Sequence, residues 1–284
     1  MNRNNQKILD YYNSVGSKLG YKYLTREIKH FGFYPLNKRT INEQKAQELM
    51  QDLIYKKLQF KSGDLILDAG CGYGTVACYL VRKYGGKITG IDINPREILR
   101  AGERAKELGL TNRVKFKVMN YSQTDFLSNY FNHIYTMETL SHASNIKHTL
   151  KEFYRVLQPG GKIVLFEYTL APNREFSPWE MKMLELGIEG TAVSGLKQFR
   201  HNQFPKTLQE AGFKKVHEQN ITENFKPSIQ RLKNIAKIPY FFIKLFNLQK
   251  HFSNILIAAE WSKFVEKDLW RYCIFTAQKP YNKK

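Results

Sequence analysis

The chain has 284 residues, and 45 Lys/Arg against 25 Asp/Glu give it a formal net charge of +20. With 42% hydrophobic and 14% aromatic residues it is too apolar for a disordered or collagen-like polypeptide, and its length suits one elaborated domain or two small ones. No apolar run approaches the roughly 18–20 residues of a membrane span, and three cysteines (Cys71, Cys78, Cys273) without a CxxC pair argue against a disulfide framework or a zinc site, so the expectation is a metal-free protein of the cytoplasm.

Residues 1–60 read as mainly helical. From residue 61 strand-like and helix-like segments alternate: strands at 64–68, 87–92, 114–118, 133–137 and 162–166, with helices near 75–84, 95–108 and 146–157. This rhythm predicts an α/β fold, a mostly parallel sheet with helices on both faces. Asn94 can cap the second of these helices, Pro95 suits its first position, and Glu97 sits where a capping-box carboxylate would. Gln158 to Gly161 reads as a turn before the fifth strand. Beyond Tyr168 a short helix is expected at 205–211 and two more strands at 213–221 and 271–278. The fifty residues between those strands are too many for a structureless loop and should carry helices. The expected organisation is therefore an N-terminal helical lid (1–60), a core (61–221 with 269–284) and a helical insertion (222–268).

Charge is unevenly spread, +6 over residues 1–66, +5 over 67–170 and +9 over 171–284. No carboxylate lies between Glu223 and Glu260, while Lys226, Arg231, Lys233, Lys237, Lys244 and Lys250 do. Such a segment fits an anionic partner, and with the apolar run from Ile238 to Leu248 it suggests peripheral contact of residues 224–259 with an anionic membrane. A helical lid whose lysines merely face water is the plainer alternative.

The most informative stretch is Leu67-Asp68-Ala69-Gly70-Cys71-Gly72-Tyr73-Gly74, which leaves a strand and enters a helix. Glycines there let backbone approach a ligand closely, and the helix start offers free N–H groups. The nicotinamide dinucleotide fingerprint would need a glycine at position 75, where this chain has Thr75, and Asp68 at the mouth of the loop would repel a pyrophosphate but attract a cation. Asp92 ends the second strand, where an acid can accept hydrogen bonds from both hydroxyls of a ribose.

LDAGCGYG, the following GIDIN and RVLQPGGKIVLFEY together resemble the class I S-adenosylmethionine-dependent methyltransferases over about residues 60–170. The resemblance implies a Rossmann-like seven-stranded sheet whose last two strands form an antiparallel edge. It also implies S-adenosylmethionine as cofactor, held by Asp68, Gly70, Cys71, Gly72, Gly74, Asp92, Ile93, Asn120, Tyr121 and Met137.

After the fourth strand, Met137-Glu138-Thr139-Leu140-Ser141-His142-Ala143 lacks the Asn-Pro-Pro-aromatic loop of nucleic-acid amino-methyltransferases and the Pro-Cys of cytosine carbon methyltransferases. It is similar to the Glu-Ala-x-x-His-Ala element of sterol methyltransferases and its counterpart in natural-product methyltransferases. Glu138 and His142 match, while residues 139–141 depart from the sterol pattern. Tyr11-Tyr12-Asn13 with Tyr21, and His30-Phe31-Gly32-Phe33-Tyr34, are similar to elements that precede the core in the same group. The aromatic-glycine signature of sterol recognition is not reproduced, so the implied acceptor is a hydrophobic small molecule, lipidic, terpenoid or polycyclic, methylated at carbon or oxygen. The implied catalytic residues are His142, as a base, with Glu138 and Glu167, which could stabilise a carbocation. Tyr12, Tyr21, His30 and Phe31 are the implied lid. Two rivals stay open: an RNA or DNA methyltransferase, favoured by the charge, and a non-catalytic protein that binds S-adenosylmethionine or a lipid.

Overall fold

The computed structural model describes residues 3–19, 28–37, 40–245 and 253–281. Seven strands form one sheet: β1 (Leu65–Ala69), β2 (Lys87–Asp92), β3 (Val114–Val118), β4 (Phe131–Met137), β5 (Leu157–Leu170), β6 (Lys214–Asn220) and β7 (Trp270–Gln278). Their order is β3-β2-β1-β4-β5-β7-β6. The pairs from β3 across to β5 are parallel, whereas β7 runs antiparallel to both β5 and β6. Strand order reverses between β1 and β4, which leaves a crevice at their carboxyl ends.

Side chains alternate between two cores. Ile66, Val164 and Ile274 face one side; their neighbours Leu67, Leu165 and Phe275 face the other. On the first side lie α3 (Glu43–Leu58), α4 (Thr75–Tyr84), α7 (Pro178–Gly190) and the pair α9 (Thr222–Leu245) and α10 (Ser253–Glu266). On the second lie α6 (Ile146–Val156) and α8 (Phe204–Glu210). In α6 the buried positions Ile146, Thr149, Leu150, Phe153 and Val156 trace one stripe at helical spacing, and Asn145 caps the first turn by accepting from the N–H of His148. In α3, Ala46, Met50, Ile54 and Leu58 form a similar stripe under the sheet, so residues 43–58 belong to the core packing. Two short N-terminal helices, α1 (Arg3–Asn13) and α2 (Val15–Leu19), complete the chain's opening segment.

The residues expected to form a turn at 158–161 instead begin β5. Phe131 pairs with Leu157, and just past the end of β7 the Lys279 carbonyl accepts the Gly160 N–H while the Lys279 N–H donates to the Gly161 carbonyl, so the strand starts earlier and takes up its irregularity as a register shift. Asn94 does cap α5 (Pro95–Glu107), by accepting from Arg96 N–H. Glu97 does not close a capping box; its carboxylate turns to Lys29, 2.7 Å away. A capping box does form between Ser177 and Glu180, the two ends of a Ser-x-x-Glu stretch at the start of α7.

Gly74, expected among the cofactor contacts, has a different role. Its φ of +66° turns the chain into α4, and a Cβ there would lie 2.4 Å from Phe116 and 2.9 Å from Ala101. Its N–H is spent on the Cys71 carbonyl. Gly74→Ala should therefore cost roughly 1–3 kcal/mol through left-handed strain and overpacking together, lowering the melting midpoint by several degrees in circular dichroism. An unchanged midpoint would contradict this packing role.

Candidate active site

The carboxyl ends of β1, β2 and β4 open into a cavity lined by Asp68, Gly70, Cys71, Gly72, Asp92, Ile93, Asn120, Tyr121 and Met137. Gly70 and Gly72, like Gly74, adopt positive φ, and a Cβ at Gly72 would meet only the far ends of the Glu97 and Lys29 side chains. The turn therefore presents bare backbone to the cavity. Asp92 accepts the N–H of Gly72 on one oxygen, at 3.1 Å, and that of Asn94 on the other, at 2.9 Å, which fixes the carboxylate at the cavity wall. Asp68 is almost fully buried and its Oδ2 has no hydrogen-bond partner. Burial raises its pKa to about 7. The Cys71 thiol is likewise pushed well up by burial, and then by Asp68 and Asp92, so it packs as a neutral group.

Several lining residues carry no signal in the local sequence. Glu97 Oε2 and Thr75 Oγ1 face burial without partners, and Lys29, already paired to Glu97, sits 4.4 Å from the Tyr12 ring centre and 4.3 Å from that of Tyr73. The cavity thus accommodates one cation of its own between aromatic faces and acids. Unpartnered acid oxygens, a ribose-type carboxylate and open glycine backbone fit S-adenosylmethionine, with Asp68 suited to its ammonium and Asp92 to its ribose. No cluster of His, Cys, Asp or Glu suited to a metal occurs among the described residues.

A second chamber adjoins the first. Tyr12, Lys29, His30, Glu138 and His142 line both, so they form the wall between them. Beyond it the lining is largely apolar and aromatic, with Phe31, Tyr168, Leu196, Ile229, Trp261 and Trp270.

His142 belongs to a short 3-10 turn, Leu140–His142, directly after β4. Its Nδ1 lies 3.0 Å from the Ala192 carbonyl, which can only accept, so Nδ1 carries the proton and Nε2 keeps its lone pair. The Tyr12 hydroxyl donates to that Nε2 at 2.9 Å. Gly195 makes this arrangement possible, because a Cβ there would come within 2.3 Å of the Ala143 carbonyl and push the 192–195 segment off the turn. Burial lowers the His142 pKa to about 4, so the ring is neutral at pH 7.

Glu138 takes a positive φ of 57°, an uncommon conformation for a non-glycine residue, which swings its carboxylate to the wall between the chambers. It accepts from Phe31 N–H at 2.8 Å, from the Tyr272 hydroxyl at 2.7 Å and from the Tyr168 hydroxyl. Burial raises its pKa to about 7 against the pull of these bonds. Glu167 lies elsewhere. It is fully buried, lines neither chamber, and accepts the N–H groups of Thr139 (2.9 Å), Leu140 (2.6 Å) and Ser141 (3.3 Å). Burial nonetheless holds its pKa at about 8. Glu167, implied as a catalytic residue, is instead placed as a clamp on the loop that bears His142, because its side chain points inward from β5.

His30 is buried as a neutral ring, its Nδ1 donating to the Phe31 carbonyl and its Nε2 accepting from Gln51. It anchors the segment that carries Phe31, which packs edge-on against Tyr168 and Tyr272. Tyr34 lines neither chamber but donates to Glu43, which lines the second, and Tyr21 lies outside the described residues.

One consequence concerns protons. A carboxyl held near 7 by burial keeps its proton at lower pH, whereas a bound cation favours the ionised form. Affinity for S-adenosylmethionine should therefore rise by up to tenfold per unit as pH approaches 7 and level off above it, with release of a proton visible by titration calorimetry in two buffers. Asp68→Asn should weaken binding at pH 8 and flatten this dependence. A pH profile identical to that of the wild type would remove Asp68 as its source.

The methyltransferase domain family matches residues 66–161. The S-adenosyl-L-methionine-dependent Diels-Alderase iccD of Talaromyces variabilis is 30% identical over 279 residues, covering 96% of this chain and 94% of that protein. The methyltransferase GfsG of Streptomyces halstedii is 23% identical over 277 residues, covering 97% and 95%. Among solved structures, the 4+2 cyclase SpnF superposes with a TM-score of 0.73 over 90% of this chain and 88% of its own, at 22% identity. With the seven-stranded order, the glycine turn and the paired acids Asp68 and Asp92, this near full-length relationship shows that the chain belongs to the class I S-adenosylmethionine-dependent methyltransferases.

Proposed function

We propose that the protein transfers a methyl group from S-adenosylmethionine to a hydrophobic small molecule, a lipid, terpenoid or polycyclic natural product, at carbon or oxygen. The observation that carries this reading is the shared wall: one chamber fitted to the cofactor opens, past Tyr12, Glu138 and His142, onto an aromatic one. The cofactor supplies an electrophilic methyl carbon. Holding an acceptor in line with it contributes by positioning, which can be worth roughly 7–11 kcal/mol in favourable cases.

In this reading Asp68 and Asp92 hold the cofactor through its ammonium and ribose. His142 and Glu138 are the catalytic residues. An acceptor hydroxyl becomes strongly acidic as its bond to carbon forms, and a carbocation produced by methylation of an alkene loses a neighbouring proton with equal ease. Either proton needs only a weak base, so a neutral imidazole with a pKa of about 4 suffices. Tyr12 can pass its own hydroxyl proton to Nε2 as its oxygen takes the acceptor's. Glu138 places negative charge at the wall, where a carbocation would be stabilised electrostatically. Glu167 is a positioning residue: its three backbone bonds hold the turn, and it touches neither chamber. Residues 3–13 and the α9–α10 pair act as covers, since Asn4, Ile8 and Tyr12 line the first chamber and Ile229, Leu232, Ala258 and Trp261 the second.

A second reading rests on a specific observation. The near full-length relative at 30% identity is a Diels-Alderase, so the same chamber could fold a polyene into a ring while the cofactor serves as a bound structural element. Nucleic-acid methylation has less support, because the second chamber is lined mainly by apolar and aromatic side chains and not by a basic groove.

Incubation with methyl-labelled cofactor and separate lipid-extract, protein and RNA fractions tests the reading. Label should enter the lipid fraction, with a product one methylene heavier than its precursor. A product of unchanged mass, formed without consumption of cofactor, would support the cyclase instead. His142→Ala should lower kcat by about 10²–10⁴ while leaving cofactor affinity within twofold. Glu167→Gln should lower kcat less and also lower the melting midpoint, because it retains one acceptor oxygen for the turn. Wild-type turnover in the His142 variant would mean that the reaction centre lies elsewhere.

A further inference from the structure

We propose that the outer face of α9 docks the protein on an anionic lipid bilayer. Along this helix Ile235, Ile238, Phe241 and Leu245 recur at intervals of three, three and four residues, which places them on one stripe. They are 37%, 72%, 63% and 63% exposed. The opposite face of the same helix is used by the fold: Phe225, Ile229, Ala236 and Ile243 are buried, and Ile229 and Leu232 line the second chamber. A helix that is apolar on both sides buries only one of them within this chain.

Charge decides what covers the other. Residues 224–259 contain six Lys/Arg and no Asp or Glu, within a chain of net charge +20; Lys226 and Lys233 pair with Glu223 and Glu266 and Arg231 lines the second chamber, while Lys237 stands exposed beside the stripe. Asn234 and Lys237 are exposed between the apolar positions, so the stripe is flanked by polar and basic groups, as in a helix that lies in a membrane interface. A second copy of this chain would bring against the first a helix with five Lys/Arg and a single acid, Glu223, and the two would repel. A surface of acidic phospholipid headgroups is complementary instead, with Ile238, Phe241 and Leu245 reaching the acyl boundary and the lysines remaining at headgroup level. No helix among the described residues is long and apolar enough to cross the bilayer, so the contact is peripheral. The docking rests on the outer face of α9 alone and not on the chemistry proposed above.

Co-sedimentation of the full chain with vesicles tests it. Vesicles of phosphatidylcholine with one quarter phosphatidylglycerol should bind the protein at low salt at least tenfold more tightly than pure phosphatidylcholine, and 0.5 M salt should remove most of the difference, since it shortens the screening length to a few ångströms. Ile238→Ser with Phe241→Ser should weaken binding to the anionic vesicles at least tenfold, and Lys237→Gln should weaken it several-fold and flatten the salt dependence. Cofactor affinity, measured on the same preparations, should stay within twofold of wild type, because the substituted side chains lie outside the cofactor chamber. Equally weak binding to both vesicle types would overturn the proposal, as would undiminished binding by the Ile238/Phe241 variant. So would a concentration-dependent dimer, in sedimentation equilibrium without lipid, that those two substitutions dissolve, because it would assign the face to a second copy.

Discussion

The wall between the two chambers depends on a carboxyl group that never reaches it. Glu167, fully buried on β5, gathers the N–H groups of three successive residues, Thr139 to Ser141. A turn immediately after a strand would otherwise leave these donors unpaired in a dry interior, at a cost of roughly 1–3 kcal/mol each. Held this way, the turn fixes Glu138 at a strained positive φ on one side and His142 against the Ala192 carbonyl on the other. Those two contacts set which carboxylate oxygens and which imidazole nitrogen face the chambers.

Much of the fold is legible in the sequence, for a physical reason. Parallel strands buried on both faces read as short continuous apolar runs, and each is punctuated by residues that act locally, such as the glycines that take left-handed φ after β1 and Asn94 and Pro95 at the start of α5. The glycine turn and Asp92 are local in the same sense, because the strand that carries them also aims them at the crevice. What is not legible depends on distant pairing. Tyr12 meets His142 across 130 residues and Lys29 meets Glu97 across 68, and nothing in either local pattern announces the partner. Glu167 shows the same limit differently. A glutamate at that point of a strand has the same spacing whether it faces the cleft or bends back under the neighbouring loop. The burial of the turn decides, and burial is a property of the assembled sheet. Gly74 stands between the cases, since its positive φ is local but the Phe116 ring that requires a bare Cα comes from β3.

The electrostatics of the site run against those of the chain as a whole. The protein carries +20, yet Asp68, Asp92, Glu97 and Glu138 converge on the cofactor chamber and its wall, each with its pKa raised chiefly by burial. Ionised carboxylates gathered in a dry crevice are costly, and the protein moderates that cost by holding protons and by placing Lys29 among them. A ligand that brings positive charge reverses the balance. At an effective dielectric near 20, a unit cation about 4 Å from a carboxylate gains on the order of 4 kcal/mol before desolvation is counted. An anionic nucleotide would instead meet repulsion at the same place. The crevice therefore selects a cation by the same burial that makes its own ionised carboxylates costly. The basic surface outside is free to serve an anionic partner, because water and salt screen solvent-exposed charges from those held in the crevice.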